Sequence, residues 1–419
     1  MFVVTSNSSI TDGWVRTSLK CIATINYGKS PKEILSSFGN YPVVGTGGTE
    51  RFGDKFLYDG DSIILGRKGT IDRVYFVSGR FWAIDTAYYL SDFKDALPRW
   101  LFYFLQSVDF RQLNEATGVP SLSRELLYKI EVSKPSKTEQ SKIAEILSTV
   151  DRAIEQTEGL IAKQQRIKTG LMQDLLTRGI DEHGNLRTEE THKFKDSPLG
   201  RIPVEWEAKE IQYLLADVDA PMRSGPFGSA LLKDELVVSG VPLLGIDNVF
   251  PDKFVGDFKR FVSPKKAFQL KRYRVRPNDL MITIMGTVGR CCLVPDDIGE
   301  ALSSKHVWTI SLDQSKYSPY VACLQVNHSP WVLNHFARDE QGGIMASIRS
   351  ETLRSTLLPV PPQNEMQLIE SHLQIFSTDL VEKENLLSKL RSLKTALMQD
   401  LLTGKVRVTP LLEKVEVGS

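Results

Sequence analysis

Between residues 143 and 161 the apolar side chains fall at Ile143, Leu147, Val150, Ile154 and Ile161, in alternating steps of four and three, with Thr157 in the one polar slot. Such steps place all of them on a single stripe of an α-helix, the seam of a heptad repeat. After Ile161 the seam shifts to Ile167, Leu171 and Leu175, as expected where a straight helix drifts across a 3.5-residue repeat or a stutter intervenes. A second run has the same character: Ile369, Leu373, Phe376, Leu380, Leu387, Leu390, Leu397 and Leu401. Proline precedes each run, at Pro135 and at Pro361-Pro362, and glycine closes each, at Gly179 and Gly404. Those punctuators predict two long helices. A helix of about forty residues is about 60 Å long, and neither can bury its apolar stripe alone.

The two helices are copies of one segment. Lys168-Thr169-Gly170-Leu171-Met172-Gln173-Asp174-Leu175-Leu176-Thr177 recurs as Lys394-Thr395-Ala396-Leu397-Met398-Gln399-Asp400-Leu401-Leu402-Thr403, with one change. At the same offset Pro135 matches Pro361, Glu139 matches Glu365, Ile143 matches Ile369, Leu147 matches Leu373 and Leu160 matches Leu386, without a gap. A match of this length within one chain is an internal duplication. Each copy follows a longer segment that has diverged, so the order is variable, constant, variable, constant. The simplest way to bury both stripes is to pair the helices. The first leads from the first variable domain into the second, and the other leaves the second, so the pairing is expected to be antiparallel with one domain at each end and a pseudo-twofold axis.

The variable segments read differently. Gly39-Asn40, Gly45-Thr46-Gly47-Gly48, Asp59-Gly60 and Gly69-Thr70 punctuate short β-branched and aromatic runs such as Ser62-Ile63-Ile64-Leu65 and Val74-Tyr75-Phe76-Val77. The stretch 278–289 stands opposite 60–71 as the same turn, strand and Gly-Thr turn. With helical stretches such as 100–105 packed on the strands, each domain is expected to be a mixed α+β globule.

Composition narrows the function. With 419 residues, 41% hydrophobic and 25% charged, the chain is expected to hold at least two domains of ordinary globular type. No apolar run approaches the roughly 18 residues of a membrane span, and Met1-Phe2-Val3-Val4-Thr5 does not open a signal peptide, so a cytoplasmic location is expected. Cys21, Cys291, Cys292 and Cys323 form no CxxC pair, which points to reduced, structural thiols and no metal. The net charge of +1 does not by itself advertise nucleic-acid binding. One stretch does stand out: 259–276 carries eight Lys or Arg, no acid, and Phe261, Phe268 and Tyr273 between them. It fits a phosphate-tracking surface and equally a solvated loop and helix whose aromatics belong to the core. Catalytic motifs are missing. Ala23 stands where a phosphate-cradling loop ending at Gly28-Lys29-Ser30 needs glycine, and there is no G-x-G-x-x-G, H-E-x-x-H, G-x-S-x-G or Asn-Pro-Pro-aromatic signature. Asp296-Asp297 reads as a turn. Binding is favoured over chemistry.

The arrangement resembles the specificity subunit of type I restriction-modification systems over nearly the whole chain. The residues that carry the likeness are Gly200-Arg201-Ile202-Pro203-Val204-Glu205-Trp206 at the entry to the second domain, and Leu358-Pro359-Val360-Pro361-Pro362 with Glu365 at the passage into a helix. Pro135, Glu139-Gln140 and Ile143-Ala144 resemble the same passage in the first half, and 171–177 the family's helix end. The second copy departs at Met366, where glutamine is usual. The resemblance implies target-recognition domains at 1–134 and 206–360, spacer helices at 135–180 and 361–404, a linker at 181–205 and a tail at 405–419. It implies a non-catalytic subunit without a cofactor of its own, which binds double-stranded DNA. Its partners would be modification subunits, which carry S-adenosylmethionine and methylate adenine, and restriction subunits with ATP-driven translocation. Each domain would read half of a split target and the helices would set the gap between the halves. Side chains and turns suited to base contact are Thr46, Gly47, Gly48, Arg67, Lys68 and Ser121 in the first domain, and Arg223, Ser224, Phe227, Ser229, Lys305 and His306 in the second. His306 also reads as a satisfied histidine near the core. The alternative is a coiled-coil scaffold whose two domains bind proteins.

Overall fold

The structure, a computed structural model, describes residues 11–114, 116–340 and 347–416. The chain divides into two compact units, one from Met1–Leu160 with Lys383–Ser419 and the other from Ile161–Glu382. Both long helices are present, Lys137–Thr177 and Gln363–Leu401, and the chain passes between units only within them. Each unit is therefore a globular domain plus the start of one helix and the end of the other.

In the first unit the strands Thr24–Tyr27, Ala87–Ser91, Ser62–Gly66 and Val74–Val77 lie side by side in that order. Ser62–Gly66 is buried along its whole length because it is flanked on both sides, which is why its sequence is a continuous apolar run rather than an alternating one. A second sheet orders Gly48–Gly53, Tyr41–Gly45, Arg80–Ala83 and Tyr58–Asp59, with Tyr41–Gly45 and Arg80–Ala83 parallel. Helix Pro98–Gln106 opens on a proline, buries Trp100 and Leu101 completely, and packs against the first sheet. Val15–Ser18 pairs with Glu131–Lys134, so the entry and exit strands of the domain lie together just before the long helix begins.

The second unit repeats this plan with almost no shared sequence. Met222–Ser224, Val307–Ile310, Leu280–Thr283 and Cys291–Leu293 form one sheet, and Leu236–Val237, Phe261–Val262, Val241–Leu244 and Leu302–Ser303 the other, again with one parallel pair. Glu207–Glu210 and Leu357–Val360 are its entry and exit strands. Leu280–Thr283 holds the place of Ser62–Gly66, in agreement with the turn-strand-turn correspondence in the sequence. The fold class is α+β, as expected.

The helix pairing is antiparallel within each unit. In the first unit Arg391 reaches Glu158 and Lys394 reaches Asp151, both at 2.7 Å. In the second, Gln164 donates to Asp379. Much of the seam sits as the heptads predict: Ile143, Leu147 and Ile161 are buried, and so are Ile369, Leu373 and Leu401, but Ile167, expected on the shifted seam, is 43% exposed. Thr157 is buried too, its hydroxyl donating to the Ala153 carbonyl at 2.7 Å, so the one polar slot is satisfied within the helix. Helix starts and ends enter the domain cores. Ile143, Ala144 and Leu147 join Leu401, Leu402 and Val408 in the first core, while Met172, Leu175 and Leu176 join Met366, Ile369 and Leu373 in the second.

A buried carboxylate clamps each junction. Glu365 accepts from Arg187 Nη1 at 2.7 and 2.9 Å, from Trp206 Nε1 at 3.0 Å and from the Ile180 amide at 3.0 Å. Burial pushes the Glu365 carboxyl above its ordinary value, against the pull of Trp206 and Arg187. Gly179 is required beside it: its φ is +67°, and a Cβ there would lie 2.1 Å from Glu365 Oε1 and 2.4 Å from the Trp206 ring. The matching Glu139 accepts from Arg407 Nε at 2.8 Å and Nη2 at 3.0 Å. Where Gln140 donates to the Asp95 and Pro135 carbonyls and accepts from the Leu97 amide, its counterpart Met366 is buried among apolar side chains. The departure at Met366 thus exchanges a polar clasp for apolar packing.

Removing one partner of a buried ion pair leaves an uncompensated charge, which costs about 3–5 kcal/mol. Glu365→Ala strands Arg187 and the Trp206 indole, so we expect a loss in that range in urea unfolding. Glu139→Ala should cost less, because the Arg407 side chain keeps 29% of its exposure and can hydrate. Equal losses for the two variants would contradict this account.

Candidate nucleic-acid interface

In the first unit Thr46-Gly47 is the two-residue turn of the hairpin joining Tyr41–Gly45 to Gly48–Gly53. Gly48 takes φ +102°, a conformation that favours glycine, and a Cβ there would lie 3.2 Å from the Tyr75 ring. Arg67, Lys68 and Ser121 come together elsewhere. Lys68 pairs with Ser121 as an isolated bridge, the Leu122 amide donates to the Arg67 carbonyl at 2.9 Å, and all three residues line one pocket of about 330 Å³. The sequence separation between 67 and 121 concealed this grouping.

Two further residues of that pocket were missed. Arg124 opens the short helix Arg124–Tyr128, and Tyr27 ends the strand Thr24–Tyr27. The guanidiniums of Arg67 and Arg124 lie over the Tyr27 ring, 5.1 and 4.9 Å from its centre. Arg67 Nη1 is held by the Asp85 carbonyl at 3.0 Å. Behind them the Tyr88 phenol, pushed up by burial, donates to the Leu122 carbonyl at 3.1 Å. No local motif marks Tyr27 or Arg124; only the strand order brings them beside Arg67.

In the second unit Ser224 pairs with Trp308, and Gly225 runs against Ser303 and Ser304. The Gly225 amide donates to the Ser304 carbonyl at 3.2 Å, and a Cβ on Gly225 would lie 2.1 Å from the Ser303 oxygen. Ser229 and Lys305 are exposed, and Phe227 is 58% exposed, unusual for so large an apolar ring. His306 is half-buried with Nδ1 3.0 Å from Met285 Sδ. Burial, then Lys305 and Arg260, lower its pKa, so it is neutral at pH 7.

Arg223 requires a correction. It was expected to face DNA, but it is 5% exposed. Its guanidinium donates to Asp279, to the Arg274 carbonyl at 2.7 Å, to the Ala220 carbonyl at 3.2 Å and to Ser311 Oγ at 3.0 Å. Burial pulls its pKa below the ordinary value while Asp279 pushes it back. A buried guanidinium with four of its five N–H donors engaged inside the domain is not placed to read a base. The basic stretch 259–276 also changes meaning: Lys259, Arg260, Lys266 and Arg274 are paired with Asp257, Asp247, Glu235 and Glu300. Much of its charge is neutralised locally, and Ala267, Val262 and Leu270 belong to a small core.

Among the described residues no cluster of three His, Cys, Asp or Glu could hold a metal ion, and no helix is long and apolar enough to cross a membrane. The four thiols are free, with Cys291, Cys292 and Cys323 buried.

The fold defines a duplicated protein: two units of one topology, different loops, and a shared pair of helices. Comparison with known proteins places it more narrowly. Residues 11–164 match the family model of the type I restriction modification DNA specificity domain. A putative type I restriction enzyme MjaX specificity subunit of Methanocaldococcus jannaschii is 26% identical over 328 residues, covering 74% of this chain and 68% of that one. The type I restriction enzyme EcoBI specificity subunit of Escherichia coli is 22% identical over 450 residues, covering 97% and 93%. In fold, the crystal structure of the type I restriction-modification S subunit from M. genitalium matches with a TM-score of 0.64 at 16% identity, covering 95% and 97%. The chain is thus similar to type I restriction-modification specificity subunits, and its residues 11–164 match their DNA specificity domain.

The buried pair gives a direct test of the correction. Arg223→Ala should cost the second unit about 3–5 kcal/mol by stranding Asp279. In thermal and urea unfolding it should be a stability variant. A normally stable Arg223→Ala protein with altered DNA discrimination would return Arg223 to the binding surface.

Proposed function

We propose that this chain is the DNA-recognising, non-catalytic subunit of a type I restriction-modification complex. Each unit reads one half of a split target, while methyl transfer and cleavage reside on partner subunits. The observation that carries this reading is the repetition of one buried plan in two units whose exposed loops differ in chemistry. The first presents a cationic pocket and a glycine-rich hairpin turn; the second presents Phe227, Ser229, Lys305 and a neutral His306. A common frame with divergent surfaces is what two independent half-site readers need.

The helices supply spacing and docking in this reading. Leu160 and Ile167 remain exposed on the first helix, and Leu386 and Leu393, at the same positions of the repeat, remain exposed on the second. Apolar side chains kept at matching exposed positions support a surface presented twice to two like partners, the modification subunits. Restriction subunits would join through that assembly.

Two measurements test the proposal. Binding of the chain with its modification subunits to duplex DNA should fall steeply with salt, whereas a protein-binding scaffold would show no duplex affinity. The chain alone should transfer no methyl group from S-adenosylmethionine. For spacing, four residues inserted both after Leu160 and after Glu382 lengthen both helices by about one turn, roughly 5.4 Å. We expect the gap in the methylated target to widen by about one to two base pairs at about 3.4 Å each, with both half-sites unchanged. An active double-insertion variant with its gap unaltered would sink the spacing role.

A further inference from the structure

The pocket holding Arg67, Lys68, Ser121 and Arg124 differs from a base-reading surface in shape and in charge. It is concave, and at about 330 Å³ it holds the volume of roughly ten waters. Base edges lie recessed in the grooves and are reached by side chains or turns that project; phosphates protrude from the duplex and fit a hollow. The Thr46-Gly47 hairpin turn, by contrast, is a separate feature of this unit that contributes no residue to the pocket lining.

The charges point the same way. Arg67 and Arg124 share the Tyr27 ring, so two guanidiniums are held close together, and Lys68 adds a third cation. None of the three is engaged by a carboxylate among the described residues, and the one acid of the lining, Glu125, is exposed. Holding like charges together without a counter-charge costs energy that an anion would relieve. Arg124 Nε is also buried without a hydrogen-bond partner, an arrangement that proteins normally avoid. The Asp85 carbonyl and the Tyr27 ring fix the Arg67 head group, while the Ile25 amide donates to Tyr128 Oη at 3.0 Å and ties the helix bearing Arg124 to the strand bearing Tyr27. The pocket is therefore preorganised.

We infer that this pocket seats a backbone phosphate of the target duplex, with Arg124 and Lys68 as its charged contacts and Arg67 as a braced third. The inference rests on the DNA-recognition reading above and divides that surface: Arg67, Lys68 and Arg124 set the position of the first unit on the duplex, and sequence is read elsewhere, from the hairpin turn.

Arg124→Gln removes the charge but keeps a polar side chain, Arg124→Lys keeps the charge, and Lys68→Gln is an independent variant on an exposed residue. Each is assayed in the full chain assembled with its modification subunits. The probes are duplexes carrying the target found by mapping methylated adenines, the same duplexes altered in one half-site, and duplexes with single neutral methylphosphonate linkages. Arg124→Gln should weaken binding to matched and altered duplexes by the same factor, roughly tenfold near 0.1 M salt, and lower the slope of log affinity against log salt by about one. Arg124→Lys should restore most of the loss. One methylphosphonate position should weaken the unmodified protein and leave Arg124→Gln unaffected. A loss confined to one base identity, or an Arg124→Gln variant and a Lys68→Gln variant that are both folded and keep full affinity and slope, overturns the phosphate assignment alone. A native assembly with no duplex affinity overturns the DNA reading and the assignment with it.

Discussion

A carboxylate buried at the start of each long helix constrains the rest of the structure. Glu139 and Glu365 occupy the same position of the duplicated segment, and an ionised carboxylate in a core is tolerable only where donors converge on it. In both cases the cation arrives from beyond the end of the other helix, as Arg407 or Arg187. The start of one helix must therefore meet the end of the other, which forces antiparallel pairing and closes the adjoining domain core. The two clamps are not identical. Trp206 donates to Glu365, while Trp14, which likewise stands just before its unit's entry strand, is buried with Nε1 lacking a protein partner.

The helices were legible in the sequence because their information is local and periodic. Even the polar slot at Thr157 fell where the seam required it. The common domain topology was legible only at 60–71 and 278–289, since a turn with a buried central strand leaves a compositional mark while strands of two residues leave none. Surface chemistry was the least legible part. Arg223 in Met222–Ser224 looks like an outward side chain until Asp279, far along the chain, is folded against it. The cations of 259–276 looked unopposed because three of their four acid partners, Glu235, Asp247 and Glu300, lie outside that run and its immediate neighbours. Tyr27 and Arg124 were invisible for the same reason in reverse: only tertiary structure collects them beside Arg67.

Two copies of a plan need not be interchangeable parts. Gln140 ties the first helix to its domain through three hydrogen bonds to main-chain groups, whereas Met366 does so by packing. The frame common to both is thus backbone path and apolar volume; polar detail at the junctions has been rebuilt separately. That freedom agrees with loops that differ in charge, in aromatic exposure and in glycine use while the sheets beneath them keep their order.

The division of the chain also bears on the order in which it becomes structured. The second unit is one continuous stretch, Ile161–Glu382, so all of it has been synthesised before the final helix is finished. The first unit is assembled from both ends: its core includes Leu401, Leu402 and Val408, and its helix clamp needs Arg407. Trp14 and Leu19 must wait for Leu401, Leu402 and Val408, a closure between segments far apart in sequence and a slow kind of contact to form. The domain made first is the domain completed last.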